Sequence, residues 1–129
     1  MNASETLSEV KNYIDGKFER NGHTAMDVVS PLDGSKISTL PLSTTEDVNH
    51  AVQAAKKAFP AWSSMTLKER VQIFFRYRAL LEKHMDELTN LVHVENGKTY
   101  GEANAEVEKS MELCEFSVSM QQIIVNEVQ

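Results

Sequence analysis

The chain has 129 residues, 41% hydrophobic and 25% charged, which suits one small folded domain and not a disordered segment. Its 19 acidic residues against 13 basic ones give a net charge of −6, which argues against a nucleic-acid or anionic-membrane surface, because those need clustered Lys and Arg. A single cysteine, Cys114, excludes an intrachain disulfide, no Cys/His spacing suits zinc, and no run approaches the ~20 apolar residues that span a bilayer. The polar stretch from Met1 to Ser8 lacks the apolar centre of a secretory signal, so the expected location is cytoplasmic, with an organelle matrix left open.

Residues 1–10 read as a loose terminus. Tyr13-Ile14-Asp15-Gly16-Lys17-Phe18 then reads as two short strands about a tight turn, since Asp-Gly supplies the positive φ of a two-residue hairpin loop. Asn21-Gly22 and Asp33-Gly34 mark further turns. Asp27 to Ser30 is extended up to Pro31, and Lys36 to Leu42 alternates as a strand does. At Ser43 the period changes. Ser43-Thr44-Thr45-Glu46 has the form of a capping box, and Val48, Ala51, Val52, Ala55 and Phe59 follow at helical spacing, with Pro60 limiting the helix to at most one further turn. Thr66-Leu67-Lys68-Glu69 opens a second, long helix that Asn96-Gly97 ends, with Gly97 suited to the left-handed C-cap. Thr99-Tyr100-Gly101-Glu102 opens a third, along Ala103, Val107, Met111, Cys114 and Val118. The β-branched run Ile123-Ile124-Val125 is expected to begin a strand. The fold class is therefore α+β: a short antiparallel β-meander over residues 11–42, three helices within 43–119, and the start of a further element in 120–129.

None of the five glycines forms a phosphate-binding pattern. A catalytic thiolate needs a helix N-terminus or a cationic neighbour, whereas Cys114 lies late in a helix on its apolar stripe and reads as a small core residue. His23, His50, His84 and His93 lack the i, i+4 spacing of a helical metal site and read as surface or boundary residues. Glu95, Glu102, Glu106, Glu108, Glu112 and Glu115 read as a solvated face and helix caps. Lys98 reads as a loop cation near a helix C-terminus, where the dipole favours it. Trp62, Phe59, Phe74, Phe75 and Phe116 are not interleaved with basic residues and read as core or interface.

Several phrases in order carry a resemblance. Tyr13 to Phe18, Val29-Ser30-Pro31-Leu32-Asp33-Gly34, Thr45-Glu46-Asp47-Val48 with Ala51-Val52-Gln53-Ala54-Ala55, Ala58-Phe59-Pro60-Ala61-Trp62 and Glu95-Asn96-Gly97-Lys98-Thr99 together resemble the N-terminal segment of an aldehyde dehydrogenase over residues 11–129. Arg76 to Leu81 and Glu112 to Asn126 look like the methylmalonate-semialdehyde branch. The resemblance implies a piece of the α/β cofactor domain of an NAD-dependent enzyme that oxidises a semialdehyde and passes the acyl group to coenzyme A, working as a homo-oligomer. The family's nucleophilic cysteine, glutamate base and nucleotide-binding segment lie downstream, and Cys114 does not align with that nucleophile. No catalytic residue, bound cofactor or metal is therefore expected in these residues, and the chain alone is expected to be inactive. That branch carries Arg-Gly in its third helix, where the Arg holds the substrate carboxylate. Here Lys109-Ser110 stands there, so Lys109 is the candidate substrate contact, with the charge kept and the bidentate fork lost. The reading from another class is a non-catalytic interaction or regulatory module derived from the same fold.

Overall fold

A computed structural model describes residues 7–20, 22 and 24–126, the stretch 121–126 as backbone alone. The expected turn residue Asn21, the histidine His23 and the final residues 127–129 lie outside the described residues. The chain forms two compact units, residues 1–64 and 65–129.

In the first unit, β1 (Asn12–Ile14) pairs antiparallel with β2 (Lys17–Glu19), with Tyr13 opposite Phe18 and Ile14 opposite Lys17. Asp15 at φ 48 and Gly16 at φ 79 supply the two positive φ values that a loop of this kind demands. β3 (Ala25–Val29) pairs antiparallel with β4 (Lys36–Pro41), with an irregularity between Val28 and Val29. The antiparallel strands thus come as two two-stranded ladders. Residues 7–10, expected to be loose, run along β4: the Leu7 N–H donates to the Ile37 carbonyl at 2.7 Å and the Val10 N–H to the Thr39 carbonyl at 3.0 Å. The Ser38 hydroxyl donates to the Ser8 carbonyl at 2.7 Å, so β4 is bonded on both sides, and Ile37 and Ser38 are buried there. Gly22 is fixed by a close approach: a Cβ on it would sit 1.9 Å from the Leu42 carbonyl oxygen.

α1 (Thr45–Ser64) begins one residue later than the capping box proposed from the sequence. The Ser-Thr-Thr-Glu-Asp run offers two boxes, from Ser43 and from Thr44, and the fold uses the second. The Thr44 N–H and hydroxyl donate to Asp47 Oδ2 at 2.7 and 2.9 Å, and the Asp47 N–H donates back to the Thr44 hydroxyl at 3.3 Å. Ser43 instead accepts from Asn12 Nδ2 at 2.7 Å. The helix runs through Pro60, whose missing N–H falls near its end, and Ser63 and Ser64 donate to the carbonyls of Pro60 and Ala61. None of its residues is buried.

The second unit holds α2 (Leu67–Lys83), α3 (Met85–Asn96) and α4 (Tyr100–Asn126). Among the described residues there are therefore four helices where three were expected. The long second helix divides at His84, whose backbone at φ −105, ψ 19 leaves the helical range, although no Gly or Pro marks the place. The expected strand at 123–125 is a second correction, because α4 continues through Asn126. A helix already nucleated extends at little cost across β-branched residues, and no Gly or Pro interrupts residues 120–126. Both α2 and α3 pack against α4. Val71 of α2, Thr89 of α3 and Ala103, Val107 and Cys114 of α4 make the buried centre. Across it, Arg78 Nε donates to Glu115 at 2.7 Å while its Nη1 donates to Glu82 at 2.8 Å.

Candidate functional site

A hydrogen-bonded polar cluster of the second unit lies where α3 turns into α4. Gly97, at φ 67, takes the left-handed C-cap and its N–H donates to the His93 carbonyl at 3.0 Å. The His93 side chain closes the same corner: its Nδ1–H donates to the Lys98 carbonyl oxygen at 2.5 Å, and its ring lies edge-on to Tyr100 with centroids 6.3 Å apart. The carbonyl can only accept, which fixes that proton on Nδ1. Lys98 pairs with Glu106 in the second turn of α4. The box Thr99-x-x-Glu102 forms as the sequence requires: Thr99 donates through its hydroxyl at 2.7 Å and its N–H at 3.0 Å to Glu102, whose N–H returns a bond at 3.3 Å. Those bonds from Thr99, hydroxyl first, hold the Glu102 carboxyl below the usual carboxylate range, with a smaller contribution from the Lys98 charge. These hydrogen bonds all serve the turn and the helix ends that flank it. His93 took a larger part than the sequence suggested. The available signal was its position four residues before a C-capping glycine.

Lys109 lies two turns further along α4 with its side chain 66% exposed, paired with Glu112 on the same helix. Cys114 is buried with Ala103 and Val107 among the packed residues, so the structure does not bring the cation and the thiol into one site. The glutamates at 95, 102, 106, 108, 112 and 115 are exposed. Asn104 donates to Glu108 at 3.0 Å, and the Ser110 hydroxyl donates back to the Glu106 carbonyl at 3.1 Å. Among the described residues no group of three His, Cys, Asp or Glu side chains could hold a metal ion, and no helix is long and apolar enough to cross a membrane.

In the first unit, the β1–β2 hairpin and α1 leave two open grooves. One, of about 320 Å³, is lined by Asn12, Tyr13, Ser43, Asp47, Val48 and Val52 among others, and the second, of about 260 Å³, adds Asp15 and the alanines Ala54, Ala55 and Ala58. Neither is lined by Cys, His, Lys or Arg, and the polar groups of the first are engaged within the fold, Asn12 with Ser43 and Asp47 with Thr44. Tyr13 and Phe18 stand out from the hairpin with ring centroids 4.9 Å apart, and Phe59 on α1 is 64% exposed. This is an apolar surface for packing, without convergent polar groups to orient a small molecule.

The family model described as "Aldehyde dehydrogenase family" matches residues 18–128. The chain belongs to the aldehyde dehydrogenase family. Among its relatives, malonate-semialdehyde dehydrogenase 2 of Oceanobacillus iheyensis is 40% identical over 123 residues, which cover 95% of this chain and 25% of that protein. Malonate-semialdehyde dehydrogenase 1 of Geobacillus kaustophilus is 40% identical over 119 residues, covering 92% of this chain and 24% of that protein. Among solved structures, a Sinorhizobium meliloti protein described as a methylmalonate-semialdehyde dehydrogenase, complexed with NAD, superposes with a TM-score of 0.84 at 28% identity, covering 92% of this chain and 24% of that one. An NAD-dependent benzaldehyde dehydrogenase of Corynebacterium glutamicum superposes at 0.81 with 28% identity, covering 93% and 25%. This aldehyde dehydrogenase chain therefore spans about a quarter of the length of the relatives it matches, and it corresponds to their N-terminal part.

Proposed function

We propose that this chain serves as the structural N-terminal quarter of an NAD-dependent semialdehyde dehydrogenase, and that it supplies scaffold where the rest of the fold supplies chemistry. The observation that carries this reading is α1. It is a well-formed helix of 20 residues with Val48, Val52 and Phe59 at core spacing, yet it buries none of them. An apolar stripe of that kind is normally covered by further protein. The relatives' names favour malonate or methylmalonate semialdehyde as substrate, and acyl transfer to coenzyme A follows from that branch of the family. NAD as the oxidant is favoured by the solved relatives that carry it or are named for it.

Lys109 is the residue we assign to the substrate carboxylate. Its ammonium is exposed and, among the described residues, held by Glu112 on the same helix, so it can exchange partners at the cost of a weak surface pair. In the complete enzyme, Lys109→Ala should raise KM for a carboxylated semialdehyde more than for a neutral aldehyde. Equal effects on both would remove the assignment.

The reading as scaffold is tested on the 129-residue chain by thermal shift and light scattering, with and without NAD. The expected outcome is no shift with NAD, together with concentration-dependent association through the uncovered apolar faces into homo-oligomers. A clear shift with NAD would overturn it. The second reading, an interaction module that binds a full-length relative, is favoured by the same uncovered stripe. It predicts a stoichiometric complex with such an enzyme where the scaffold reading predicts self-association.

A further inference from the structure

Three steps in described turns place glycine after Asp or Asn: Asp15-Gly16, Asp33-Gly34 and Asn96-Gly97. At such a step the glycine nitrogen meets little steric resistance in attacking the preceding side-chain carbonyl carbon, provided that both groups are free. The fold treats the three differently. The Gly34 N–H donates to the Ser30 carbonyl at 2.9 Å, and Asp33 Oδ1 accepts from the Ser35 N–H at 2.9 Å and the Ser35 hydroxyl at 2.7 Å. Those donors, the Ser35 hydroxyl first, hold the Asp33 carboxyl below its ordinary range and so keep it ionised, which makes it a poor electrophile. The Gly97 N–H is committed to the His93 carbonyl at 3.0 Å, and Asn96 is the last residue of α3.

Asp15 has none of this protection. It is exposed at the tip of a hairpin whose strands are three residues each, and its carboxyl accepts no hydrogen bond among the described residues. It is also the one described non-glycine residue with a positive φ, 48°, a conformation that carries backbone strain. Gly16 lies inside the two-residue loop, outside the ladder that ends at Ile14 and Lys17, and the space around it is open.

We propose that Asp15-Gly16 is a site of spontaneous isoaspartate formation, while hydrogen bonding protects the steps at 33 and 96. The Gly16 nitrogen attacks Cγ of the protonated Asp15 carboxyl, the C–N bond forms, and water leaves with the carboxyl OH and the amide proton, giving a five-membered succinimide. Water then adds to one of the two ring carbonyls. Addition at Cγ breaks the Cγ–N bond and returns Asp15. Addition at the backbone carbonyl carbon breaks the other C–N bond and leaves the chain linked through Cβ. Mass is unchanged and no oxidant is needed. The extra backbone methylene cannot be fitted into a two-residue loop that keeps Ile14 opposite Lys17, so the Tyr13–Phe18 ring pair separates as well.

The test incubates the folded chain at mildly acidic pH beside the same chain in denaturant. Trypsin then releases residues 12–17, which hold Asp15, and residues 21–36, which hold Asp33. Fragment-ion mass spectrometry distinguishes the β-linked from the normal residue. The expected result is isoaspartate in the 12–17 peptide at similar rates in both conditions, and at Asp33 in denaturant only. Asp15→Asn keeps a residue suited to positive φ and offers a more electrophilic amide, so it should raise the rate several-fold. The proposal is overturned if Asp15 is as protected as Asp33 in the folded chain, if Asp33 reacts as fast as Asp15 there, or if Asp15→Asn leaves the rate flat.

Discussion

α1 and α4 have the same kind of sequence, an apolar stripe opened by a Thr-x-x-acid box, and opposite fates. α4 buries Ala103, Val107 and Cys114, while α1 buries nothing. Spacing alone states that a helix has an apolar side. It does not state whether the covering surface lies in the same stretch of chain. For α4 the cover is local, because α2 and α3 fold back on it. The sharpest way to break this contrast is a matched pair of substitutions. Val107→Asp should cost the 129-residue chain about 3 kcal/mol or more, since it places an unpaired charge among apolar side chains. Val52→Asp should stay within about 0.5 kcal/mol, as exposed changes do. Urea unfolding of both variants decides it, and comparable losses would show that α1 is covered in solution after all.

The next effect concerns the helix starts. Thr66→Ala and Thr99→Ala should each cost about 1 kcal/mol, because each removes a hydroxyl that both accepts from and donates to its partner glutamate. Thr44→Ala should cost less on global unfolding, since the helix that it opens is unburied. A core change of the opposite sign comes from Thr89, fully buried with its hydroxyl unpartnered among the described residues. Thr89→Val should stabilise the chain by up to about 1 kcal/mol in the same titration.

The smallest effect is the dependence on pH. The carboxyls of Glu69 and Glu102 lie below their ordinary 4.5, chiefly through the hydroxyls of Thr66 and Thr99. A depressed carboxylate contributes stability that is present above the unfolded value and lost as pH falls through the folded one. Acid should therefore weaken the chain below about pH 4.5. Thr99→Ala should blunt the part due to Glu102, which a series of unfolding midpoints from pH 6 to pH 3 would read.

The same features show what was legible beforehand. Two of the three boxes and the Gly97 cap were fixed by side chains that lie within a few residues of the groups they satisfy. At Ser43-Thr44-Thr45-Glu46-Asp47 two registers were chemically equal. The choice fell to Asn12, 31 residues away, which takes the Ser43 hydroxyl. The division at His84 and the helical course of 123–126 carry no Gly or Pro, so packing and propagation decide them. Residues 7–10 had no strand pattern of their own, and partners distant in sequence give them a place: the Ile37 and Thr39 carbonyls, the Ser38 hydroxyl and the Arg20 guanidinium. For Lys109 the sequence offered a resemblance, and its exposed position on α4 adds no geometry to it.

The corner at Gly97 also bears on the order in which the second unit assembles. Bringing α3 against α4 closes a connection of only three residues, 97–99, whereas the Arg78–Glu115 bond joins groups 37 residues apart. The entropy of closing a loop rises with its length, so the expected order has the α3–α4 pair forming first and α2 docking on it afterwards. In stopped-flow kinetics Thr99→Ala should then slow folding, while Arg78→Met should chiefly hasten unfolding. If Arg78→Met slowed folding as much as Thr99→Ala, that sequence of events would be reversed.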